Sequence, residues 1–181
     1  MVARPARLRM RRRRVQEALG WQRAPTAAGC CASFGTRVFF TTDKGSTWTA
    51  SRAVPAGIRI GADRVNPLEF YAFANGVFCI SGDGGATFLA SPAANLPPTG
   101  TSGYFKAVPG RGGDLWLAGG STTSGVHGLW HSTDRGQSSR ELPQLDGADS
   151  IWLGHARASS EVCGSLRLAQ VHGVSGIYRF R

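Results

Sequence analysis

Three aspartates recur in one setting. Asp43 lies in the run Val38-Phe39-Phe40-Thr41-Thr42-Asp43-Lys44-Gly45-Ser46-Thr47-Trp48, Asp83 in Phe78-Cys79-Ile80-Ser81-Gly82-Asp83-Gly84-Gly85-Ala86-Thr87-Phe88, and Asp134 in Leu129-Trp130-His131-Ser132-Thr133-Asp134-Arg135-Gly136-Gln137-Ser138-Ser139. Paired carboxylates are the tools of acid–base hydrolysis, one giving a proton while the other takes one. Such a pair must converge on a single cleft, whereas carboxylates at one position of a repeat are spread over the molecule. Each aspartate has a hydroxyl residue two places before it, a glycine two places after and an apolar residue five places before. Trp48 and Phe88 stand five places after; the third unit has Ser139 there. This spacing makes a turn. An apolar strand enters, hydroxyl and carboxylate bend back onto nearby backbone N–H groups, glycine takes the positive φ of a tight hairpin, and the aromatic packs beneath. Asp43, Gly45, Trp48, Asp83, Gly85, Phe88, Asp134 and Gly136 are therefore read as structural corners, and no catalytic residue is assigned.

The other groups capable of chemistry form no recognisable constellation. Asp63 and Asp114 fall in motifs with a structural look, Asp146 and Asp149 in a loop, and no pair is marked as acid and base. Trp116, Trp130 and Trp152 could stack on sugar, but Trp116 and Trp152 sit inside strand patterns and are expected in the core. His127, His131, His155 and His172 lack metal-ligand spacing, and adjacent Cys30 and Cys31 lack the spacing of a zinc or redox site. Cys79, within Val77-Phe78-Cys79-Ile80, is expected as a buried free thiol, with a disulfide left open. Gly82-Asp83-Gly84-Gly85 and Gly110-Arg111-Gly112-Gly113 open no helix and are turns, not phosphate loops. No cofactor or metal is expected.

The elements that position these residues are strands. The three runs are Asp boxes, and their aspartates are 40 and 51 residues apart, the period of a four-stranded propeller blade. Further strands are expected at Glu69–Phe73, Asp114–Ala118, Ser150–Leu153 and Leu166–Val171, rich in aromatic and branched residues between Gly, Pro, Asn and Ser. A short helix is expected only at Arg11–Leu19. Ile177-Tyr178-Arg179 matches Leu129-Trp130-His131, so a fourth box would put its aspartate at position 182, one beyond the last residue. The fold class is all-β, a partial β-propeller of about three to four four-stranded blades with Asp-box (BNR-type) hairpins. It is too short to close a ring alone, and its open sheet edges invite self-association.

Charge divides the chain. Residues 1–23 carry eight arginines against the single acid Glu17, while the whole chain has a net charge of +10. Residues 1–34 are expected to be a basic, disordered leader, and residues 35–181 the incomplete propeller. The arginine run is read as a self-repelling tail, so a nucleic-acid partner is not expected. No 7–15-residue apolar run follows it, so it does not read as a secretory signal. No run of ~20 apolar residues exists, so no membrane-spanning helix is expected.

From about Gly35 to Tyr178 the sequence resembles the C-terminal propeller of glycoside hydrolase family 74, the xyloglucan-specific endo-β-1,4-glucanases. The resemblance rests on several pieces in order. They are Gly35-Thr36-Arg37-Val38-Phe39-Phe40, Ala62-Asp63-Arg64-Val65-Asn66-Pro67 leading into Phe70-Tyr71-Ala72-Phe73, Gly76-Val77-Phe78, Ala107-Val108-Pro109-Gly110 with Gly113-Asp114-Leu115-Trp116-Leu117, Gly128-Leu129-Trp130, and Gly173-Val174-Ser175-Gly176-Ile177-Tyr178-Arg179. It implies a polysaccharide partner, xyloglucan or a related β-glucan, and an extracellular setting. The family inverts with two aspartates about 6.5–9.5 Å apart, one from each of two propellers. On this carry-over neither is present, and the chain is expected to be a fragment without activity by itself. Residues 1–34 and the stretch His155–Ser165 depart from the family pattern. A second reading is a non-catalytic Asp-box module that binds glycan or protein, as in sorting receptors; a sialidase fits less well, because its arginine triad finds no place here.

Overall fold

The computed structural model describes residues 7–8, 22–23, 29–34, 37–54, 58–97, 102–121, 126–143, 145–153 and 165–180. The arginine run, the helix expected at Arg11–Leu19, His155 and Cys163 lie outside these residues. Every regular element described is a strand. These are β1 (Arg7–Leu8), β2 (Gln22–Arg23), β3 (Cys30–Phe34), β4 (Arg37–Thr41), β5 (Trp48–Ala50), β6 (Arg59–Ala62), β7 (Phe70–Ala74), β8 (Val77–Ser81), β9 (Leu89–Ala90), β10 (Ser102–Ala107), β11 (Leu115–Ser121), β12 (Val126–Ser132), β13 (Arg140–Glu141), β14 (Gly147–Leu153), β15 (Ser165–Val171) and β16 (Val174–Phe180). No described helix is long and apolar enough to cross a membrane.

Four antiparallel sheets result, in the orders β1-β5-β4-β3-β2, β6-β7-β8-β9, β10-β11-β12-β13 and β14-β15-β16. The middle two have the four strands expected of a blade. The first has five, because Arg7 and Leu8 pair with Thr49 and Trp48 outside β5. The last has three. The 34/35 division falls inside a hairpin: Phe34 pairs with Arg37 and Cys30 with Thr41. Cys30 and Ala32 are buried on one face with Phe39 and Trp48, and Cys31 is buried in the core on the other. Cys30 and Cys31 are thus alternate-face residues of a single strand, β3.

The chain divides into two compact units, residues 1–74 with 79–90, and residues 75–78 with 91–181. In the first, β7 is buried along its whole length, as a strand flanked by neighbours and covered on both faces must be. Its Phe70, Ala72 and Ala74 join Cys31, Val38, Ile60, Cys79 and Phe88 in one cluster. In the second, Ala118 and Leu129 pack against Leu145, Ala148, Ile151 and Ala169. Burying a large apolar side chain fully stabilises by about 1.5–3 kcal/mol, so the packing of these clusters adds to the strand ladders.

Candidate functional site

Each box closes by one set of hydrogen bonds. In the first, Thr41 Oγ1 donates to Asp43 Oδ1 at 2.7 Å and accepts from Gly45 N at 3.0 Å. Asp43 Oδ1 also accepts from Thr47 N at 2.8 Å, and Oδ2 from Thr47 Oγ1 at 2.6 Å. In the second, Ser81 Oγ donates to Asp83 Oδ1 at 2.8 Å, Gly85 N to Ser81 Oγ at 3.0 Å, and Thr87 N to Asp83 Oδ1 at 2.9 Å. In the third, Ser132 Oγ donates to Asp134 Oδ1 at 2.8 Å, Gly136 N to Ser132 Oγ at 2.8 Å, and Ser138 N and Oγ to the two Asp134 oxygens at 3.0 and 2.6 Å. Two consecutive residues hold positive φ in each: Lys44 and Gly45, Gly84 and Gly85, Arg135 and Gly136. Sequence reasoning asked this only of the glycine; the lysine and arginine carry a conformation that costs a side chain energy.

These bonds favour the charged carboxylate. The Thr47 hydroxyl, then its N–H and the Thr41 hydroxyl, draw Asp43 down to about 2. Burial pushes Asp83 and Asp134 upward, but the N–H and hydroxyl donors from Thr87 and Ser81, and from Ser138 and Ser132, outweigh it and both end below the usual range. A general acid that protonates a leaving group needs the opposite shift. Trp48 and Phe88 are buried under their turns, and a β-carbon on Gly45 would lie 3.7 Å from the Trp48 ring. Under the third turn, where Ser139 replaces the aromatic, a small cavity is lined by Phe78, Leu96, Leu115, Leu117, Trp130 and Ser139.

Two further carboxyls do approach each other. Tyr71 Oη lies 2.8 Å from Asp63 Oδ2 and 3.0 Å from Glu69 Oε2, and all three residues are buried. An inverting pair needs a water and a sugar between its carboxyls; here a phenol fills the gap. Asp63 Oδ1 accepts from Val65 N and Asn66 N, both at 2.7 Å, so it holds the turn that enters β7. Burial, with the Asp63 bond and charge and then Glu69, pushes the Tyr71 phenol far above its usual value. The alternation Glu69-Phe70-Tyr71, which puts the acid and the phenol on one face, was the signal in the sequence.

In the second unit, Asp114 Oδ1 stands 2.8 Å from His131 Nε2, and Arg111 lies 3.7 Å from Oδ2. The His131 ring stacks flat on Trp116 at 3.9 Å, with 11° between the planes. Trp130 is buried. Trp152 is 67% exposed, with Lys106 Nζ 5.9 Å from its ring centre, so the expectation that it packs in a core is overturned. Its neighbour Ile151 takes the inward position on β14, and alternation turns Trp152 to the other face. Asp149 is exposed beside His127, while Asp146 Oδ2 accepts from Gly173 N at 2.7 Å. Among the described residues, no group of three or more His, Cys, Asp or Glu could hold a metal ion.

Asp-box corners repeated on antiparallel sheets define a segment of a β-propeller. The chain is 42% identical over 142 residues to a xyloglucanase of a Paenibacillus species, a match covering 78% of this chain and 14% of that protein. It is 37% identical over 139 residues to xyloglucanase Xgh74A of Acetivibrio thermocellus, covering 77% and 16%. The chain thus spans about one seventh of the length of these curated relatives. Among solved structures, the family 74 enzyme of Niastella koreensis superposes with a TM-score of 0.72 at 24% identity over 84% of this chain and 22% of its own. The family 74 xyloglucanase of Xanthomonas campestris gives 0.72 over 88% and 22%. No family model matches. By sequence and fold together, the chain is a fragment of glycoside hydrolase family 74.

Proposed function

We propose that the chain serves xyloglucan degradation as a supporting part of the C-terminal propeller, contacting glycan without cleaving it, in an extracellular enzyme. The observation that carries this reading is the 42% identity with a xyloglucanase over 78% of the chain. The carboxyls support the non-catalytic half. Those of the boxes are held ionised at separate turns, and Asp63 and Glu69 are sealed around Tyr71. Exposed Trp152 supplies a ring face suited to a sugar. The test is hydrolysis and pull-down on xyloglucan with the purified chain. Retention without release of reducing ends is expected; turnover would overturn the non-catalytic reading, and failure to bind would overturn the glycan contact.

The three-stranded last sheet supports a second part of the reading, self-association. Val174 and Ile177 on β16 are 62% and 69% exposed, and an edge of this kind accepts another strand. Light scattering during size exclusion is expected to show oligomers. A monodisperse monomer would end this part alone.

A further inference from the structure

We propose that Ser51 and Ser91 are latches between successive repeats, and that the third box carries Leu142, which has no hydroxyl, at the same position. Ser51 is the eighth residue after Asp43, and its hydroxyl donates to Gly85 O at 2.6 Å; Gly85 is the glycine of the second box. Ser91 is the eighth residue after Asp83, and its hydroxyl donates to Gly136 O, the glycine of the third box. The same donor position thus reaches the same acceptor position one repeat on, once in each compact unit. The latch sits on a fixed frame, because the backbone N–H of each serine donates to the residue five before its own box aspartate, Ser51 to Val38 at 2.9 Å and Ser91 to Phe78 at 2.8 Å.

The acceptor is equally fixed. A β-carbon on Gly85 would collide with Cys31 Sγ, and one on Gly136 would lie 2.5 Å from the Phe78 ring. Each glycine is therefore pressed against a residue earlier in the chain while its carbonyl takes the serine hydroxyl. At the first box, among the described residues, a β-carbon on Gly45 would meet nothing nearer than Trp48 at 3.7 Å.

The eighth residue after Asp134 is Leu142. Its N–H still donates to Leu129 O at 2.8 Å, so the frame survives while the donor is gone. Leu142 instead packs beside the cluster of Ala118, Leu129, Ala148 and Ile151. Within the second unit, β14–β16 meets β10–β13 through apolar packing, the His127–Asp149 pair on the surface and Lys106 beside the Trp152 ring, and among the described residues no serine hydroxyl bridges the two at the latch position. This is the seam that opens first when the fold loosens locally.

Hydrogen exchange read by mass spectrometry on the purified chain and on Ser51→Ala, Ser51→Thr, Ser91→Ala and Ser91→Thr tests the assignment. Losing one hydrogen bond is expected to speed exchange roughly three- to tenfold in the box that loses its latch, residues 85–88 for Ser51→Ala and 136–138 for Ser91→Ala. The threonine variants keep the hydroxyl and are expected to match the parent, while residues 45–48 stay unchanged in all four. In the parent, β15 and β16 exchange before β11 and β12. Alanine variants that match the parent would overturn the latch, as would threonine variants as loose as alanine, since volume would then matter and not the hydroxyl. Should the alanine variants fail to fold, urea midpoints of the threonine variants decide: the parent's value supports the latch, and a collapse refutes it. Protection of β15 and β16 equal to that of β11 and β12 would refute the unlatched seam.

Discussion

The Phe78 ring occupies the space that a β-carbon on Gly136 would need, 2.5 Å from where that carbon would sit. Gly136 also has a φ of 78°, so two independent constraints oppose a side chain there. Gly85 is under the same double constraint, while Gly45 answers only to φ. Gly85→Ala and Gly136→Ala are therefore expected to cost about 3 kcal/mol or more, and Gly45→Ala about 1 kcal/mol. Urea unfolding of the three variants measures this; equal losses would show that backbone conformation alone sets the cost.

Phe78 also lines the cavity beside Ser139 and meets Phe105 edge-on at 5.4 Å, so its ring borders the space that an aromatic at position 139 would enter. Phe78→Ala is expected to cost about 3–5 kcal/mol. Ser139→Phe alone should crowd the Phe78 ring, whereas the two changes together should recover part of the loss. A double-mutant cycle on denaturant midpoints reads the coupling, and strict additivity would mean the two positions do not share that space.

The corners were legible in the sequence because their bonds are local: Thr41, Asp43, Gly45 and Thr47 lie within seven residues, and hydroxyl, carboxylate and glycine at fixed spacing have few other uses. The apolar strands β4 and β8 that enter the first two turns were legible for the same reason. What lay hidden depends on residues far apart in the chain. Nothing local to Cys30-Cys31 announces that the strand pairs back across Phe34 and Arg37, and the basic residues before it masked the pattern. Trp152 reads as a core residue because alternation fixes two faces without saying which is covered. The Ser51–Gly85 bond spans 34 residues and becomes visible only once the repeats are superposed.

One phenolic proton serves two buried carboxyls at Tyr71. Tyr71→Phe keeps the ring and removes that donor from Asp63 Oδ2 and Glu69 Oε2, both on buried residues. A loss of about 1–3 kcal/mol follows for a buried polar group deprived of its bond. Thermal and urea unfolding at neutral pH check it; a variant as stable as the parent would mean that the phenol holds the turn by its ring alone.

Cys31 and Cys79 are buried, and burial pushes both thiols above their usual range, with the charges of Cys30 and Asp83 adding to the effect at Cys31. Thiolates are the species that react with alkylating reagents. Iodoacetamide at neutral pH is expected to leave both residues unmodified in the native chain and to label them in urea. Peptide mass mapping locates the label, and native modification of Cys31 would show that its strand opens readily.

Acid should reveal the box bonds. Asp43 falls to about 2 in the folded chain, against an unfolded value of about 3.9, so the fold prefers its charged form. That preference stabilises fully above about pH 4 and fades as pH falls through about 2, because protonation in the folded state then removes the charge that Thr47 and Thr41 recognise. Asp43→Asn lacks the charge at every pH. The gap between parent and Asp43→Asn in urea midpoint should therefore be widest near neutral pH and close between about pH 4 and 2. A gap that stays constant across this window would mean that the carboxylate charge adds nothing beyond the shape of the side chain.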